Sequence, residues 1–301
     1  MRGKGERKRR WAVVCLAAAT CLCGWTETAD AAGLPFLRLS SGARGSALGE
    51  AVTALADLEA MTYNPAALTA AGARSVSVGH SEWIQDIRHE YLALVAPRGL
   101  GTLALTGAFS QADELERRTG PSTLPLGNFG VYDSVIGVGY ARDWSPKLRL
   151  GVGIKMVRQT IFTQTANGVA ADVGAFYRVN PELQLGVAAR NLGTMGKLVS
   201  ESTDLPAEAR IGAAYRGPGH LLVVVDLQRV RDTGTSLHLG TEYAIQRRLA
   251  LRAGYQTTES RDLSLGLGVH SGSWAFDYAF VPFASGLGDA HRVGIRFQGS
   301  R

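Results

Sequence analysis

The chain has 301 residues, a net charge of +6 and 37 glycines. Residues 1–31 hold six Lys or Arg and three acidic residues, so the remainder has 26 basic (32 minus 6) and 23 acidic (26 minus 3) residues, a net charge of +3. This near balance removes the main argument for a nucleic-acid partner. The three cysteines are Cys15, Cys21 and Cys23, so a chain cleaved after residue 31 has no thiol for catalysis, disulfides or metal binding.

The first segment, residues 1–31, has the three-part organisation of a secretory signal peptide. Met1–Arg10 is basic, Trp11–Trp25 is apolar, and Ala29-Asp30-Ala31 is a small-x-small cleavage site. The apolar run falls short of the ~20 residues that a transmembrane helix needs, and no other stretch of the chain is long enough. We therefore predict a cleaved signal peptide, with an uncleaved anchor as the alternative. If the protein lies in a membrane, it must do so as a closed barrel.

Residues 40–71 are rich in alanine and leucine and have the pattern of an amphipathic helix. Their large apolar residues recur at helical spacing: Leu48, Val52, Leu55, Leu58 and Met61. Ser40 or Ser41 is expected to cap this helix. Pro65 suits the first turn of a second short helix that ends at Ala71, with Asn64 as its cap.

From Ala73 onward the apolar period changes from about 3.6 residues to 2, which is typical of β-strands. In Lys147–Gln159, for example, alternate residues are apolar and the intervening ones are charged or glycine. The sequence predicts about fourteen strands, roughly at 74–80, 89–96, 100–109, 132–141, 147–158, 168–178, 182–190, 207–216, 219–228, 235–245, 248–256, 261–270, 273–282 and 289–297. The predicted fold class is all-β, a transmembrane antiparallel β-barrel. A soluble β-sandwich or a secreted β-solenoid are the alternatives.

The connections between predicted strands alternate in length. Those after even-numbered strands are short, and those after odd-numbered strands are often long, above all Ser110–Val131 and Asn191–Pro206. Outer-membrane barrels have short periplasmic turns and longer outer loops, so we expect the N-terminus of the barrel on the periplasmic side. Tyrosines near the ends of even-numbered strands are predicted to form an interfacial girdle: Tyr140, Tyr177, Tyr215 and Tyr243.

The polar face of the strands carries the only candidates for chemistry, and none forms a catalytic motif. Glycine pairs such as Gly137/Gly139 and Gly151/Gly153 never complete a nucleotide-binding loop, and we expect them to leave space in the lumen. The histidines lack metal-ligand spacing, and His238 and His270 are expected to form hydrogen bonds in the lumen. No catalytic residue, metal site or cofactor is predicted, so the chain is predicted not to be an enzyme.

Charged residues of both signs share this polar face. We expect the following to point inward: Arg149, Lys155, Arg190, Arg210, Arg216, Arg248, Arg252, Arg296, Asp172, Asp226, Glu242, Asp262 and Asp277. Charge inside a barrel must meet water or a partner of opposite sign. The pattern predicts a cross-strand ion network, with a mildly basic channel as the alternative.

Residues 36–68 contain a series of short motifs: Phe36-Leu37-Arg38, Gly42-Ala43-Arg44, Ala47-Leu48-Gly49-Glu50-Ala51, Ala54-Leu55-Ala56-Asp57 and Asn64-Pro65-Ala66-Ala67-Leu68. As a set they resemble the PorV/PorQ family, which belongs to the FadL-like group of outer-membrane barrels. The resemblance implies a fourteen-stranded barrel whose N-terminal segment folds into the lumen as a hatch, with Asn64, Pro65 and Ala66 as an element of that hatch.

Together these features give the following hypothesis. Residues 1–31 are the signal peptide, 32–72 the hatch, and 73–301 an outer-membrane β-barrel in contact with lipid. The resemblance implies FadL-like transport of a small hydrophobic ligand across the bacterial outer membrane. The alternative that it implies is a PorV-like component of type IX secretion, which binds cargo or other secretion-system proteins. The ligand-binding residues are not assigned.

Overall fold

A computed structural model describes residues 33–39, 42–121, 124–231, 233–246, 248–258 and 261–300. The predicted signal peptide with its three cysteines, and the expected cap residues Ser40 and Ser41, lie outside the described residues. None of the helices in the described ranges is long and apolar enough to span a membrane.

Fourteen antiparallel strands form a closed barrel, which confirms the predicted fold class. Numbered in chain order, with β8 and β9 forming a small separate hairpin, the strands are β1 (Ser75–Glu82), β2 (Arg88–Arg98), β3 (Gly101–Arg117), β4 (Gly127–Asp143), β5 (Leu148–Ile161), β6 (Gln164–Arg178), β7 (Leu183–Met195), β8 (Lys197–Leu198), β9 (Glu201–Ser202), β10 (Glu208–Arg216), β11 (Leu221–Val230), β12 (Gly234–Ile245), β13 (Leu249–Thr258), β14 (Arg261–Ser271), β15 (Trp274–Pro282) and β16 (Asp289–Gln298). Each barrel strand pairs with its neighbour in sequence, β7 pairs with β10, and β1 pairs with β16 to close the sheet.

The outer surface of the barrel is apolar because successive side chains on each strand point to opposite faces. On β5, Val152, Ile154 and Met156 are exposed, whereas the intervening residues face the lumen. A continuous apolar surface of this size suits lipid rather than water. Tyr140, Tyr215 and Tyr243 are exposed on this surface and Tyr177 is half-buried, each at or near the end of its strand, as the girdle prediction requires.

The two ends of the barrel differ in the length of their connections. At the end that also carries the start of β1 and the end of β16, the turns span residues 99–100, 144–147, 179–182, 217–220, 246–248 and 272–273. We call this the short-turn end and the opposite one the long-loop end. The predicted loop 110–131 is wrong in extent, because β3 and β4 stay paired past an irregularity at Ala112/Leu115 and leave only residues 118–126. The predicted loop 191–206 is also shorter, and it contains the β8–β9 hairpin.

Strands β3–β6 have 14 to 17 residues, whereas β10–β16 have 9 to 12. Since the turns at the short-turn end are uniformly short, the extra length projects from the long-loop end. The wall is therefore taller on one side of the barrel than on the other.

The described residues 33–39 and 42–72 precede the barrel and lie inside it; we call them the luminal segment. They form α1 (Ala43–Ala47) and short 3₁₀ helices at Pro35–Arg38, Glu59–Thr62 and Pro65–Ala70. The long amphipathic helix expected from the pattern in residues 40–71 is wrong, because only Ala43–Ala47 is α-helical there. The chain leaves α1 through left-handed conformations at Gly49 (φ 64°) and Glu50 (φ 61°), which end the helix. The apolar residues that suggested it are nevertheless buried, in two clusters against different parts of the wall.

Candidate functional site

The luminal segment crosses the interior of the barrel and contacts the wall in four apolar clusters. The smallest joins Ala43 and Ala47 of α1 to Ala279 of β15. Near the long-loop end, Leu34, Phe36 and Leu37 pack against β5–β7 and against Leu205 of the connection that follows β9. Leu48, Val52 and Leu55 pack against residues of β6, β10 and β11. Leu58, Met61 and Leu68 pack against β2–β4 and lead back to the start of β1. The segment thus occupies the centre of the barrel and divides its interior.

Glycines on the luminal face of the wall allow the backbone of this segment to approach closely. An added Cβ would come within 3.0 Å of the luminal segment at Gly139, Gly151, Gly174, Gly186, Gly240, Gly254 and Gly266. At Gly151 the nearest atom would be the backbone nitrogen of Ala66, at 2.3 Å. The expectation that inward glycines leave space is therefore wrong at Gly139 and Gly151, and it holds at Gly153, where the nearest atom would be 3.6 Å away.

Asn64, Pro65 and Ala66 lie at one of these close approaches, against β5 and β6. The Asn64 side chain accepts a hydrogen bond from the Ala66 backbone nitrogen at 3.0 Å, which confirms the predicted helix cap. Its amide nitrogen donates to the carbonyl oxygens of Thr53 (2.9 Å) and Ala175 (3.2 Å). Asn64 therefore joins two parts of the luminal segment to each other and to the wall. The role of the three residues as a hatch motif remains a prediction.

Ion pairs join the luminal segment to the wall near α1. Both Arg44 nitrogens Nε and Nη2 donate to the Glu242 carboxylate at 2.8 Å, and Arg44 also pairs with Asp57. Arg252 donates to Glu242 at 2.6 Å and to Asp277 at 2.6 Å. Arg296 on β16 contacts Asp57 at 2.5 Å, and the paired charges form one network. Charge-assisted and bidentate hydrogen bonds of this kind are the strong ones in proteins.

A second set of paired charges lies on β5–β7, β10 and β11. Arg190 pairs with Glu208 at 2.6 Å, and Lys155 pairs with Asp172 at 2.8 Å. The guanidinium groups of Arg190 and Arg210 lie 5.3 and 5.0 Å from the Tyr63 ring centroid, within the range of cation–π contacts. The predicted cross-strand ion network is confirmed, and it also includes the luminal segment, which the sequence pattern did not indicate.

The left-handed turn after α1 is held by a third set of contacts. Arg261 pairs with Glu50 at 2.9 Å, and His238 contacts the Gly49 carbonyl oxygen at 2.7 Å, which fits its predicted luminal role. Burial raises the pKa of Glu50, but Arg261, Arg292 and other neighbours outweigh it and lower this pKa to about 2. Glu50 is therefore a carboxylate that fixes the turn to the long-loop half of the wall.

The sequence analysis did not name two inward residues, and three that it did name are less buried than expected. Arg292, 1% exposed, donates to Ser46 Oγ at 2.5 Å, and Glu208 is equally buried. The alternation of inward and outward positions along β10 and β16 could have identified both, because Glu208 and Arg292 lie at inward positions. Arg216, Arg248 and Asp262 lie near strand ends on the same face as buried inward residues, but they are exposed rather than buried.

A cavity of about 80 Å³ lies between the luminal segment and β2–β7. Most of its wall is apolar or glycine, including Phe36, Leu37, Met61, Pro65 and Leu68 from the luminal segment. Its polar lining consists of Thr62, His89, Tyr91, Thr106, Lys155, Asp172 and Arg190. An engineered apolar cavity of ~150 Å³ accepts benzene. This cavity is about half that size, so an aromatic ring would enter only with some displacement of the luminal segment.

A row of polar residues begins at His89 in the cavity wall and runs across the neighbouring strands, on the side of the cavity nearer the long-loop end. The strand register places His89 opposite Ser110, Ser110 opposite Asp133, and Asp133 opposite Gln159. A serine, a histidine and an acid therefore lie on neighbouring strands, but the serine lies between the other two. Neither ring nitrogen of His89 has a hydrogen-bond partner among the described residues. The order and the missing His89 hydrogen bonds differ from a Ser–His–acid catalytic relay.

Within the described part of the chain, no group of three or more His, Cys, Asp or Glu side chains could hold a metal ion. Every barrel strand of the described wall pairs on both sides, with register shifts at Ala112/Leu115, Ala171/Val173 and Tyr255/Thr258.

The overall fold resembles that of solved outer-membrane barrels. The CymD monoaromatic hydrocarbon channel is 14% identical with a TM-score of 0.70, covering 90% of this chain and 100% of its own. The Ralstonia pickettii toluene transporter TbuX is 14% identical with a TM-score of 0.65 (86% and 98%). A Pseudomonas aeruginosa FadL homologue is 12% identical with a TM-score of 0.61 (86% and 98%).

No protein-family model and no curated protein matches the sequence. At these identities the structural likeness shows the fold alone. The chain has the fold of the FadL-like fourteen-stranded barrels, and this fold together with its apolar surface indicates an outer-membrane location.

Proposed function

We propose that the protein passes a small hydrophobic molecule across the outer membrane, with residues 32–72 as a movable hatch and 73–301 as the barrel. The observation that carries this proposal is the largely apolar cavity between the luminal segment and β2–β7. Ligand sites are typically concave and mostly apolar, with a few polar groups that fix orientation. Structural neighbours with this fold include a protein described as a toluene transporter and one described as a monoaromatic hydrocarbon channel.

The tall side of the wall supplies an apolar approach to the cavity from the long-loop end. Beyond the polar row, the luminal face continues with Val131 opposite Ile161 and Leu115 opposite Phe129. Phe129 and Phe162 pack edge to face, with ring centroids 6.4 Å apart. An apolar solute arriving from outside would find a weakly hydrated surface there before it reached the cavity.

We infer that the docked conformation of the luminal segment corresponds to a closed hatch. Arg44, Asp57 and Glu50 tie the luminal segment to the wall by ion pairs, and the segment approaches the wall closely at several glycines. Movement of the hatch would have to separate buried charges, which is costly without new partners. We therefore propose that passage proceeds through local shifts of the cavity-lining part, around Met61 and Leu68, rather than through complete release. Methionine suits this role because its side chain is flexible.

The motifs in residues 36–68 resemble those of the PorV/PorQ family, and membership of that family remains a proposal. It would assign the protein to type IX secretion, with cargo or secretion-system proteins as partners. No contact or surface among the described residues favours that second function, so transport is the function we propose.

Uptake of toluene into proteoliposomes tests the proposal. Ala108 lines the cavity on β3, and Ala108→Trp should fill it and reduce uptake at least 10-fold. Ile136→Trp is the matched control, since Ile136 faces outward on β4 and is 64% exposed. Both variants must keep the change in gel mobility on boiling that marks a folded barrel. Uptake by Ala108→Trp equal to that of the control and wild type would show that the cavity is not on the route.

A further inference from the structure

Two polar side chains of the cavity wall, His89 and Tyr91, have hydrogen-bonding atoms without partners. They are neighbours on the luminal face of β2 and are 3% and 5% exposed. Both ring nitrogens of His89 and the hydroxyl of Tyr91 are buried and make no hydrogen bond to any described residue. Buried polar groups in proteins are nearly always satisfied, so such groups beside a cavity point to a partner that occupies it.

The charged groups at the opposite side of the cavity differ, because each already has a partner of opposite sign. Lys155 contacts Asp172 at 2.8 Å, and Arg190 contacts Glu208 at 2.6 Å. Gln228 also donates to Glu208 at 2.6 Å. A ligand carboxylate would therefore have to displace an existing carboxylate, and the cavity offers no cation reserved for an anionic headgroup.

The polar row extends the unsatisfied region from His89 across the wall. Ala108 and Val135 line the cavity. Ser110 and Asp133 lie on the same luminal face, two residues nearer the long-loop end. One carboxylate oxygen of Asp133, Oδ1, is buried without a partner among the described residues. An acidic group at this position disfavours an anion, and the adjacent hydroxyl and imidazole can both donate and accept hydrogen bonds.

We propose that the cavity selects a small, neutral, mainly apolar molecule that carries one hydroxyl or carbonyl group, such as a phenol, rather than a pure hydrocarbon or a carboxylate. The polar group of the ligand bonds to His89 and Tyr91, and its apolar part lies against Phe36, Met61 and Leu68. This inference deepens the proposed transport function and rests on it.

The expected preference follows from the cost of leaving these groups unsatisfied. Sites built to hydrogen-bond a hydroxyl discriminate strongly against the analogue that lacks it, because their buried polar groups then stay unpaired. Removal of one buried hydrogen-bond partner costs about 1–3 kcal/mol, which corresponds to roughly a 5- to 150-fold change in affinity.

The test compares three ligands that share a methylphenyl frame: toluene, p-cresol and p-toluate. Their dissociation constants are measured with the purified full-length barrel in detergent, with protein-free detergent titrated in parallel. We expect p-cresol to bind at least 10-fold more tightly than toluene, and p-toluate no more tightly than toluene. Tyr91→Phe, which removes only the hydroxyl, and His89→Phe should each lower the ratio of p-cresol to toluene affinity. Tyr132→Phe is the control, because its hydroxyl bonds to Asp113 outside the cavity, at 2.7 Å.

The possible outcomes distinguish failure of this inference from failure of the proposed transport function. Toluene binding with an equal affinity for p-cresol overturns the inference alone, and implies that water satisfies His89 and Tyr91. A clear preference for p-toluate also overturns it, in favour of an anion site. A p-cresol preference that survives both Tyr91→Phe and His89→Phe shows that other residues recognise the hydroxyl. Failure of all three ligands to bind overturns the proposed transport function as well.

Discussion

Substitution of Gly151 by alanine should loosen the luminal segment without preventing barrel assembly. The added Cβ would meet the Ala66 backbone nitrogen at 2.3 Å and the Pro65 carbonyl carbon at 2.3 Å. Both are backbone atoms, so neither can rotate away as a flexible side chain could. Gly153→Ala is a matched control two residues along the same strand and face, where the nearest atoms would be at ordinary contact distances of 3.6 and 3.8 Å.

The magnitude can be derived from the overlap. Forcing extra atoms into a well-packed interior costs about 1–3 kcal/mol, and this cost acts only while the segment is docked. A loss of about 2 kcal/mol raises the undocked fraction roughly 30-fold, since every 1.4 kcal/mol is a factor of ten. Barrel pairing is unaffected, because the pairing of β5 with β4 and β6 does not involve the added methyl group.

A cysteine probe measures the undocked fraction. The sequence has no cysteine after Cys23, so a single Ala67→Cys substitution places one thiol in the luminal segment, where Ala67 is fully buried. Maleimide labelling of the folded barrel should then be roughly 30-fold faster in the Gly151→Ala background than in the parent. Equal labelling rates in the Gly151→Ala and Gly153→Ala backgrounds would refute the proposed close packing, provided that both keep heat-modifiable mobility.

The same labelling assay checks three further predictions. Arg44→Met removes the cation that two carboxylates of the network share, and should raise the labelling rate by a factor of about 5 to 150, corresponding to roughly 1–3 kcal/mol; an unchanged rate would mean that Arg252 and Arg296 suffice. Asn64→Ala removes the cap and two further hydrogen bonds and should have a similar effect, whereas Thr69→Ala, a nearby and less buried site, should have less. Glu50 has a folded pKa of about 2, below its usual value of 4.5, so its stabilisation is complete above pH 4.5 and is lost as the pH falls towards 2. Labelling with an acid-tolerant thiol reagent should therefore accelerate below about pH 4.5, and Glu50→Gln should flatten that rise; a rise between pH 8 and 6 would indicate another group.

The strand architecture could be predicted from the sequence because it depends on a local and repeated signal. Alternation along Lys147–Gln159 assigns each residue to the lipid or to the lumen without knowledge of any distant contact. The fourteen predicted strands correspond to the fourteen barrel strands, with errors mainly at their ends. The predicted end of β3 was wrong because, past Ala112, charged residues interrupt the apolar alternation and the register shifts.

The interior was harder to predict, because its residues serve partners far away in the chain. Helical spacing in residues 48–61 reflected burial on several sides, not one helix face, since the surrounding wall is apolar or glycine wherever these side chains point. From the sequence, Gly151 was predicted to leave space in the lumen. In the structure it contacts Ala66, which lies 85 positions earlier in the chain. Asn64 is the exception, because its cap to Ala66 is local.

The sequence by itself therefore determined the barrel and its strand number, since lipid contact imposes a period of two on every spanning segment. Only the tertiary structure decided what the lumen contains. The pairing of Arg44 with Glu242, the contact of Gly151 with the luminal segment and the cavity beside His89 all depend on how a closed sheet brings distant residues together. Closure of the sheet is a global property, and no local periodicity records which residues it places opposite one another.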